Sequence, residues 1–167
     1  MRSQHVRPDQ PGPGQESVWD YPRPPRVEPT GELVEVHFRG RPIVRTTRAL
    51  RVLETSHPPT YYLPIADVEP GVLLPVEGGS FCEWKGQAAY FDVSVSGHVA
   101  ARAAWHYPDP SPRFTDLRAH VAIYPGLMDM CTVDGEVVRP QPGGFYGGWV
   151  TARVVGPVKG EPGTMGW

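Results

Sequence analysis

The chain has 167 residues and a mass of 18.4 kDa, a length that suits one hydrophobic core and is too short for two. Hydrophobic residues make up 40% and charged residues 20%, which predicts a folded domain and argues against a disordered chain. The 16 basic and 18 acidic residues give a formal net charge of −2. Because there is no basic excess, this balance argues against nucleic acid and membrane as partners.

The remaining composition bears on location and metal binding. The first residues lack the apolar stretch of a secretory signal, and no run of about 18 apolar residues suits a membrane span, so a cytoplasmic location is predicted. Two cysteines, Cys82 and Cys131, build no disulfide framework and are expected to be free thiols. No close Cys or His pair has the spacing of a structural zinc site, so neither a metal nor a cofactor is predicted.

The N-terminal stretch is dominated by proline, with seven prolines in residues 1–29. Proline at this density prevents a helix or a central strand, so residues 1–16 are predicted to form a disordered, Pro-rich arm. Trp19 and Tyr21 would gain from burial, and order is therefore expected to begin near Ser17.

Strand patterns begin after the arm. Apolar residues alternate with polar ones from Val34 to Phe38, which predicts a half-buried strand. Residues 43–54 are predicted to form a strand, a bend and a second strand, with one or two helical turns as the alternative. Prolines on both sides of residues 61–65 predict a short segment at a sheet edge.

The central and C-terminal blocks also favour strands. Residues 80–84, 87–95 and 99–107 predict a three-stranded meander. Residues 112–118 suit one helical turn, because Pro112 at the first helical position has a suitable φ angle. The dipeptide Asp-Gly at 134–135, between alternating apolar runs, predicts a hairpin with a type I′ turn.

Seven to nine short strands and almost no helix predict an all-β fold. The expected architecture is a single compact antiparallel β domain, a sandwich or partly open barrel, with at most one or two short helical turns. The domain is expected to span residues 17–139. Residues 140–167 are rich in Gly, Pro and aromatic residues and are expected to form an irregular tail docked on the domain.

One candidate site is the segment around Lys85. Strand alternation places Cys82 and Trp84 on one face, and Glu83 and Lys85 on the other. If Lys85 points into a cleft, desolvation lowers its pKa and suits it to act as a base, a nucleophile or an anion anchor. The alternative is an ordinary surface pair between Glu83 and Lys85.

A second candidate is the aromatic segment Trp105-His106-Tyr107. Trp105 and Tyr107 share a strand face, and rings with polar groups beside rigid prolines are typical of small-molecule pockets. Packing in the core is the alternative for these rings. Glu54 and Tyr62 belong to a further polar and aromatic patch, for which a solvated loop is the alternative.

Several of these stretches together resemble a known family. They are RVLETSHPPTYYLP at 51–64, FCEWKGQAAYF at 81–91, AAWHYPDPSP at 103–112 and VDGEVV at 133–138. The sequence is similar over about residues 34–138 to the bacterial and fungal family called domain of unknown function 427. The resemblance implies a small β fold of the β-tent group of ligand-pocket domains, some of which carry structural zinc through cysteines that this chain lacks.

The family has also carried a nucleotidyltransferase label, which the residues do not favour. Polymerase-type transferases follow a Gly-Ser turn with two carboxylates, one residue apart, that hold Mg²⁺. Gly79, Ser80 and Asp92 imitate this spacing, but the second carboxylate position is Ser94. Because a single acid cannot hold two metal ions, transfer chemistry is not the preferred interpretation.

The preferred interpretation is a small-molecule-binding β domain with an aromatic-lined pocket and no catalytic residues. Its expected partner is a small neutral or polar ligand, and the chain is expected to be a monomer or a weak dimer. The alternatives are a nucleotidyltransferase-like enzyme that uses Lys85 and a protein-interaction module that uses the arm and the tail. The expected ligand-binding residues are Glu54, Tyr62, Trp84, Lys85, Trp105, His106 and Tyr107.

Overall fold

The computed structural model describes residues 5–167 and consists mainly of short strands joined by tight turns. In chain order the strands are β1 (Glu16–Ser17), β2 (Arg26–Pro29), β3 (Val34–Phe38), β4 (Arg41–Thr46), β5 (Leu50–Leu53), β6 (Thr60–Pro64), β7 (Leu73–Cys82), β8 (Gly86–Val95), β9 (His98–His106), β10 (His120–Ile123), β11 (Met130–Val133), β12 (Glu136–Val137), β13 (Arg139–Pro140), β14 (Trp149–Val150) and β15 (Val154–Val155). Short 3₁₀ helices occupy Val18–Asp20, Ile65–Asp67, Pro112–Leu117 and Pro125–Leu127. The predicted all-β fold with few helical turns is confirmed.

Two sheets form the body of the molecule. A seven-stranded antiparallel sheet has the order β2-β5-β6-β10-β9-β8-β7, and a four-stranded antiparallel sheet has the order β12-β11-β3-β4. Two-stranded pairs join β1 with β15 in parallel and β13 with β14 in antiparallel orientation. The prediction was a sandwich or a partly open barrel. Within residues 5–167 no sheet closes into a barrel, which agrees with this prediction.

The main hydrophobic core includes residues from both sheets. In β3, the predicted alternation buries Val34, Val36 and Phe38 and leaves the residues between them half-exposed. Alternate residues of β6, β8 and β10, together with Ala103 and Ala104 of β9, are the seven-stranded sheet's main contribution to the same core. Because side chains alternate across a strand, the intervening residues of these strands point to the sheet's other face.

The predicted hairpins are present. Ser96 and Gly97 connect β8 to β9 with φ angles of 50° and 80°, and Asp134 and Gly135 connect β11 to β12 with φ angles of 48° and 82°. Positive φ at both central residues is the signature of the type I′ turn, which matches the twist of the flanking strands. The meander β7-β8-β9 is also confirmed.

The prediction of an edge segment at residues 61–65 was wrong. Strand β6 pairs with β5 on one side and β10 on the other, so it lies inside the seven-stranded sheet. Pro64 is the last residue of β6, so its missing N–H does not break the hydrogen bonds between strands farther along the chain. Only residues 80–82 of the candidate strand at 80–84 belong to a strand, β7, which begins at Leu73. Residues 83–85 form the turn to β8, so the predicted alternation of faces from Cys82 to Lys85 was wrong.

The N-terminal segment is attached to the sheet through Arg51, whose side chain is fully buried. Its guanidinium donates to Glu16 at 2.8 Å and to Glu28 at 2.9 Å. Farther along the predicted arm, the backbone N–H of Asp9 donates to the carbonyl of Gly156 at 2.8 Å. Residues 1–4 lie outside the described residues, and the division of the chain at 16 and 139 stays a prediction.

Candidate functional site

A pocket of 540 Å³ opens on the face of the seven-stranded sheet that points away from the main core. Its base is the second hydrophobic cluster of the molecule, which the intervening residues of β5, β6, β8, β9 and β10 form together with the 3₁₀ helix Pro112–Leu117. The opening is surrounded by the turn after β5, the tip of the β7–β8 hairpin and the C-terminal segment, which is residues 140–167. Aromatic rings in its lining include Trp84, Trp105, Tyr107, Tyr124 and Tyr146.

Trp105 lies at the centre of the base of the pocket. Its side chain is 9% exposed, its indole N–H donates to the hydroxyl of Tyr62 at 3.3 Å, and its ring centroid is 4.6 Å from that of Tyr124. Gly147 packs against the Cη2 edge of the indole, and a Cβ atom at this position would collide with it. The C-terminal segment therefore approaches Trp105 this closely only because residue 147 has no side chain.

Lys85 extends into the pocket from the tip of the β7–β8 hairpin. Its carbonyl accepts a hydrogen bond from the N–H of Ser111 at 3.0 Å, and its ammonium is 5.8 Å from the ring centroid of Tyr107. Burial favours the neutral amine, but Tyr62, Cys82 and Glu54 outweigh burial and raise the pKa of Lys85. Lys85 is consequently a cation at neutral pH.

The turn after β5 brings Glu54 and His57 together. Ser56 has a φ of 70°, and the N–H of His57 donates back to the carbonyl of Glu54 at 3.0 Å. The imidazole Nε2 then lies 3.5 Å from the Glu54 carboxylate, which is also 3.6 Å from the guanidinium of Arg23. The turn thus places a carboxylate and an imidazole at one wall of the pocket.

Gln141 connects this wall to the C-terminal segment. The Gln141 side chain amide donates to His57 Nδ1 at 3.1 Å and to the carbonyl of Lys159 at 2.8 Å, and its oxygen accepts from the N–H of Gly148 at 3.1 Å. Since Nδ1 accepts this hydrogen bond, the imidazole of His57 carries its proton on Nε2.

The electrostatic surroundings of His57 favour its neutral form. Burial, followed by the positive charges of Lys159, Arg23 and Lys85, lowers the pKa of His57 to about 4. Lys159 lies on the C-terminal segment, with its ammonium 5.5 Å from the ring centroid of Tyr146. At neutral pH, the polar wall of the pocket therefore contains cations, one neutral imidazole and the carboxylate of Glu54.

The structure brings most of the predicted binding residues together. Glu54, Trp84, Lys85, Trp105 and Tyr107 line the pocket, and Tyr62 lies immediately beneath Trp105.

His106 is the predicted site residue that lies elsewhere. It stacks on Phe91 with ring centroids 4.5 Å apart and is absent from the pocket lining. The reason is the strand period of two: because Trp105 and Tyr107 share one face of the sheet, the residue between them faces the other way.

Sequence reasoning missed the contribution of the C-terminal segment. Gln141, Tyr146 and Lys159 line the pocket although they lie far along the chain from Lys85 and Glu54. A second cavity of 670 Å³ adjoins the first and shares Tyr146 and Gln141 with it. One signal was available in the sequence: Lys85 and Lys159 are the only two lysines in the chain.

The residues that imitate a nucleotidyltransferase site are separated in the structure. The carboxylate of Asp92 accepts a hydrogen bond from the backbone N–H of Arg102 at 2.8 Å and lies outside the pocket lining. Arg102 has a φ of 50°, so Asp92 stabilises an irregular residue in β9. Ser80 lines the pocket, and its hydroxyl lies 2.9 Å from that of Tyr90.

Two further observations concern residues 5–167 alone. They contain no group of three or more His, Cys, Asp or Glu side chains arranged to hold a metal ion. None of the helices in this part of the chain has the length and hydropathy needed to cross a membrane.

The fold and the pocket define the class of the protein: an all-β domain with an aromatic cluster at the base of a pocket on its main sheet. A family model described as Domain of unknown function (DUF427) matches residues 26–134, and the chain belongs to this family. No curated protein matches the sequence. The matched region includes Glu54, Lys85 and Trp105, whereas Gln141 and Lys159 lie beyond it.

Proposed function

We propose that this protein is a binding domain for a small, polar molecule with a planar ring, which it takes up in the pocket above Trp105. The observation that carries the proposal is the combination of aromatic faces and a few polar groups around one cavity of 540 Å³. Pockets of about 300 to 1,000 Å³ with mostly apolar walls and a few convergent polar groups are typical of small-molecule sites.

The polar groups come from the turn after β5, the tip of the β7–β8 hairpin and the C-terminal segment. Glu54 offers carboxylate oxygens, and Lys85 and Lys159 offer ammonium groups. Aromatic side chains such as Trp84 and Tyr124 offer ring faces. A ring of the ligand can therefore stack on an aromatic face while its polar substituents reach the charged wall.

The charge state of Lys85 supports binding over proton abstraction. A lysine acts as a general base or nucleophile when its pKa is lowered toward neutrality. The neighbours of Lys85 raise its pKa instead, so it is suited to anchor a ligand. We therefore propose that the pocket binds its ligand without using Lys85 as a catalyst.

A thermal-shift panel tests the proposal. Purified protein is screened with nucleotides, with and without Mg²⁺, and with cyclic amides, nucleobases, glycols and sugars. A ligand at about 100 times its Kd stabilises by roughly 2.7 kcal/mol, which corresponds to a rise in Tm of about 5 to 10 °C for a chain of this size. We expect at least one planar polar compound, and no glycol, to produce such a rise.

A pair of tryptophan variants tests whether the rise in Tm comes from binding in the pocket. Trp84→Leu removes a half-buried ring from the lining, whereas Trp167→Leu removes a ring that packs on Trp19 outside the pocket. We expect the first variant to lose at least about tenfold in affinity, equivalent to roughly 1.4 kcal/mol, and the second to bind as the parent does. Equal loss in both variants, or no stabilising compound in the panel, would contradict the proposal.

A further inference from the structure

The two lysines of this sequence, Lys85 and Lys159, both line the same pocket. The two lysines are 74 positions apart and reach the pocket from the β7–β8 hairpin and the C-terminal segment, respectively. The fold thus concentrates its ammonium groups at one cavity.

Both ammonium groups lie near aromatic rings, and in residues 5–167 no carboxylate lies within ion-pairing distance of either. Lys85 lies 5.8 Å from the ring centroid of Tyr107, and Lys159 lies 5.5 Å from that of Tyr146. Both residues are half-buried, and within residues 5–167 neither forms an ion pair. A ring face attracts a cation but does not neutralise its charge, so both ammonium groups remain available to an anion.

The carboxylates at the pocket offset these charges only in part: Glu54 acts on Lys85 from a distance and forms no ion pair with it. Glu54 is the half-buried carboxylate of the lining, and it is shared between Arg23 and His57. Glu83 lines the pocket as an exposed residue at the hairpin tip, where water screens its charge. Burial lowers the pKa of His57 most, and the positive charges of Lys159, Arg23 and Lys85 lower it further. This agrees with a positive local potential.

We propose that the ligand of this pocket carries an anionic group, a carboxylate or a phosphate, that binds between the ammonium groups of Lys85 and Lys159 while its planar ring packs on the aromatic lining. This inference rests on the proposed function and specifies the ligand class. The sequence predicted a small neutral or polar ligand; this inference keeps the polar ligand and adds a negative charge to it.

Matched compounds that differ only in the anionic group test the charge directly. Nicotinate is compared with nicotinamide, and adenosine 5′-monophosphate with adenosine, by titration calorimetry at low and high salt. We expect the anion of at least one pair to bind at least about tenfold more tightly than its neutral partner, because hydrogen bonds to charged groups are the stronger ones. This preference should shrink in high salt. The pair that shows it identifies the source of the anion.

Lysine variants assign the anion to its partners. Lys85→Met and Lys159→Met each remove one pocket cation, and Lys85→Arg keeps the charge. Arg45→Met is the matched control, because it removes an exposed cation on β4. We expect each lysine-to-methionine variant to lose about tenfold in affinity for the anion and almost none for the neutral partner. Lys85→Arg should recover part of the loss, and the control should bind as the parent does.

Selective isotope labelling of lysine gives a readout that does not depend on variants. Protein labelled with ¹⁵N and ¹³C only at lysine has two side-chain ammonium signals, both from the pocket. We expect the bound anion to shift both signals and its neutral partner to leave them nearly unchanged. Each lysine variant assigns one signal by its disappearance.

The outcomes separate this inference from the proposed function. If the neutral compound binds as tightly as the anion, the pocket binds ligands but the anion assignment is wrong. A loss of affinity confined to one lysine variant overturns the assignment of two lysines. If neither compound of either pair binds and the wider panel contains no ligand, both proposals fail.

Discussion

Tyr61 and Tyr62 are neighbours on β6, and each is 1% exposed, yet they belong to different parts of the molecule. Tyr61 faces the main core, where its ring stacks on Trp149 with centroids 5.0 Å apart. Tyr62 faces the opposite side of the sheet and accepts the hydrogen bond of Trp105 beneath the pocket. Similar aromatic pairs therefore lie on both faces of one sheet.

The difference between the two faces is the layer that covers them. The four-stranded sheet packs over the face that carries Tyr61, so this aromatic pair is enclosed in a continuous core. The face that carries Tyr62 is covered by the 3₁₀ helix Pro112–Leu117 and by the irregular C-terminal segment, which leave a cavity of 540 Å³. For these two aromatic pairs, the covering layer therefore distinguishes core from pocket.

The largest expected effect is on stability and distinguishes a covered tryptophan from one at the pocket. Trp149 is fully buried, and its indole N–H donates to the carbonyl of Ile123 at 3.2 Å. We expect Trp149→Ala to lower the free energy of unfolding by about 3 to 5 kcal/mol, because it leaves a large cavity in a closed core. Trp84→Ala, at the half-buried lining, should cost less than about 1.5 kcal/mol. Urea denaturation measures both, and similar costs would abolish the distinction between the two faces.

A pH titration should expose the polar wall of the pocket as the acid-sensitive side. The pKa of His57 is about 4 in the folded chain and about 6.5 in a model peptide. Between these values the unfolded chain binds a proton that the folded chain does not, so the free energy of unfolding falls as pH drops from about 6.5 to 4. The loss is at most about 3 kcal/mol.

His57→Gln removes the pH-dependent loss of stability that His57 causes. His98→Gln, which changes an exposed residue at a hairpin turn, keeps this loss. Denaturation at several pH values between 4 and 7 measures the slopes. Hydrogen bonds from Arg51 lower the pKa of Glu16. The stability that Glu16 contributes is therefore present above its unfolded pKa of 4.5 and declines as pH falls through its lower folded pKa. Both variants share that decline. An unchanged slope in His57→Gln would show that His57 is not held neutral.

The smallest expected effect comes from the two tyrosine hydroxyls. Tyr61→Phe leaves Glu32 bonded to Arg153 at 2.9 Å, and Tyr62→Phe leaves the indole N–H of Trp105 next to a pocket that water can enter. Glu32 keeps Arg153 as its partner, and we expect water from the pocket to replace the Tyr62 hydroxyl, so each change should cost about 1 kcal/mol or less in urea denaturation. A cost well above 2 kcal/mol for Tyr62→Phe would show that the base of the pocket is closed to water.

Local patterns were reliable wherever the strand period and turn residues decide the structure. The alternation from Val34 to Phe38 and the Asp-Gly dipeptide at 134–135 predicted their strand and turn correctly. The same period explains why Trp105 reaches the pocket and why His106, predicted as a site residue, does not. The edge assignment of residues 61–65 failed because strand order depends on pairing between distant segments.

The sequence by itself determined that this protein is an all-β domain of its family and that Trp105 and Tyr107 share a strand face. These features depend on φ preferences and on side-chain alternation, which act over a few residues. Only the tertiary structure decided that Gln141 and Lys159 meet Glu54 and Lys85 at one cavity. The reason is that a pocket forms where a layer fails to cover a face, and that depends on how the C-terminal segment packs across the sheet, with Gly147 against Trp105.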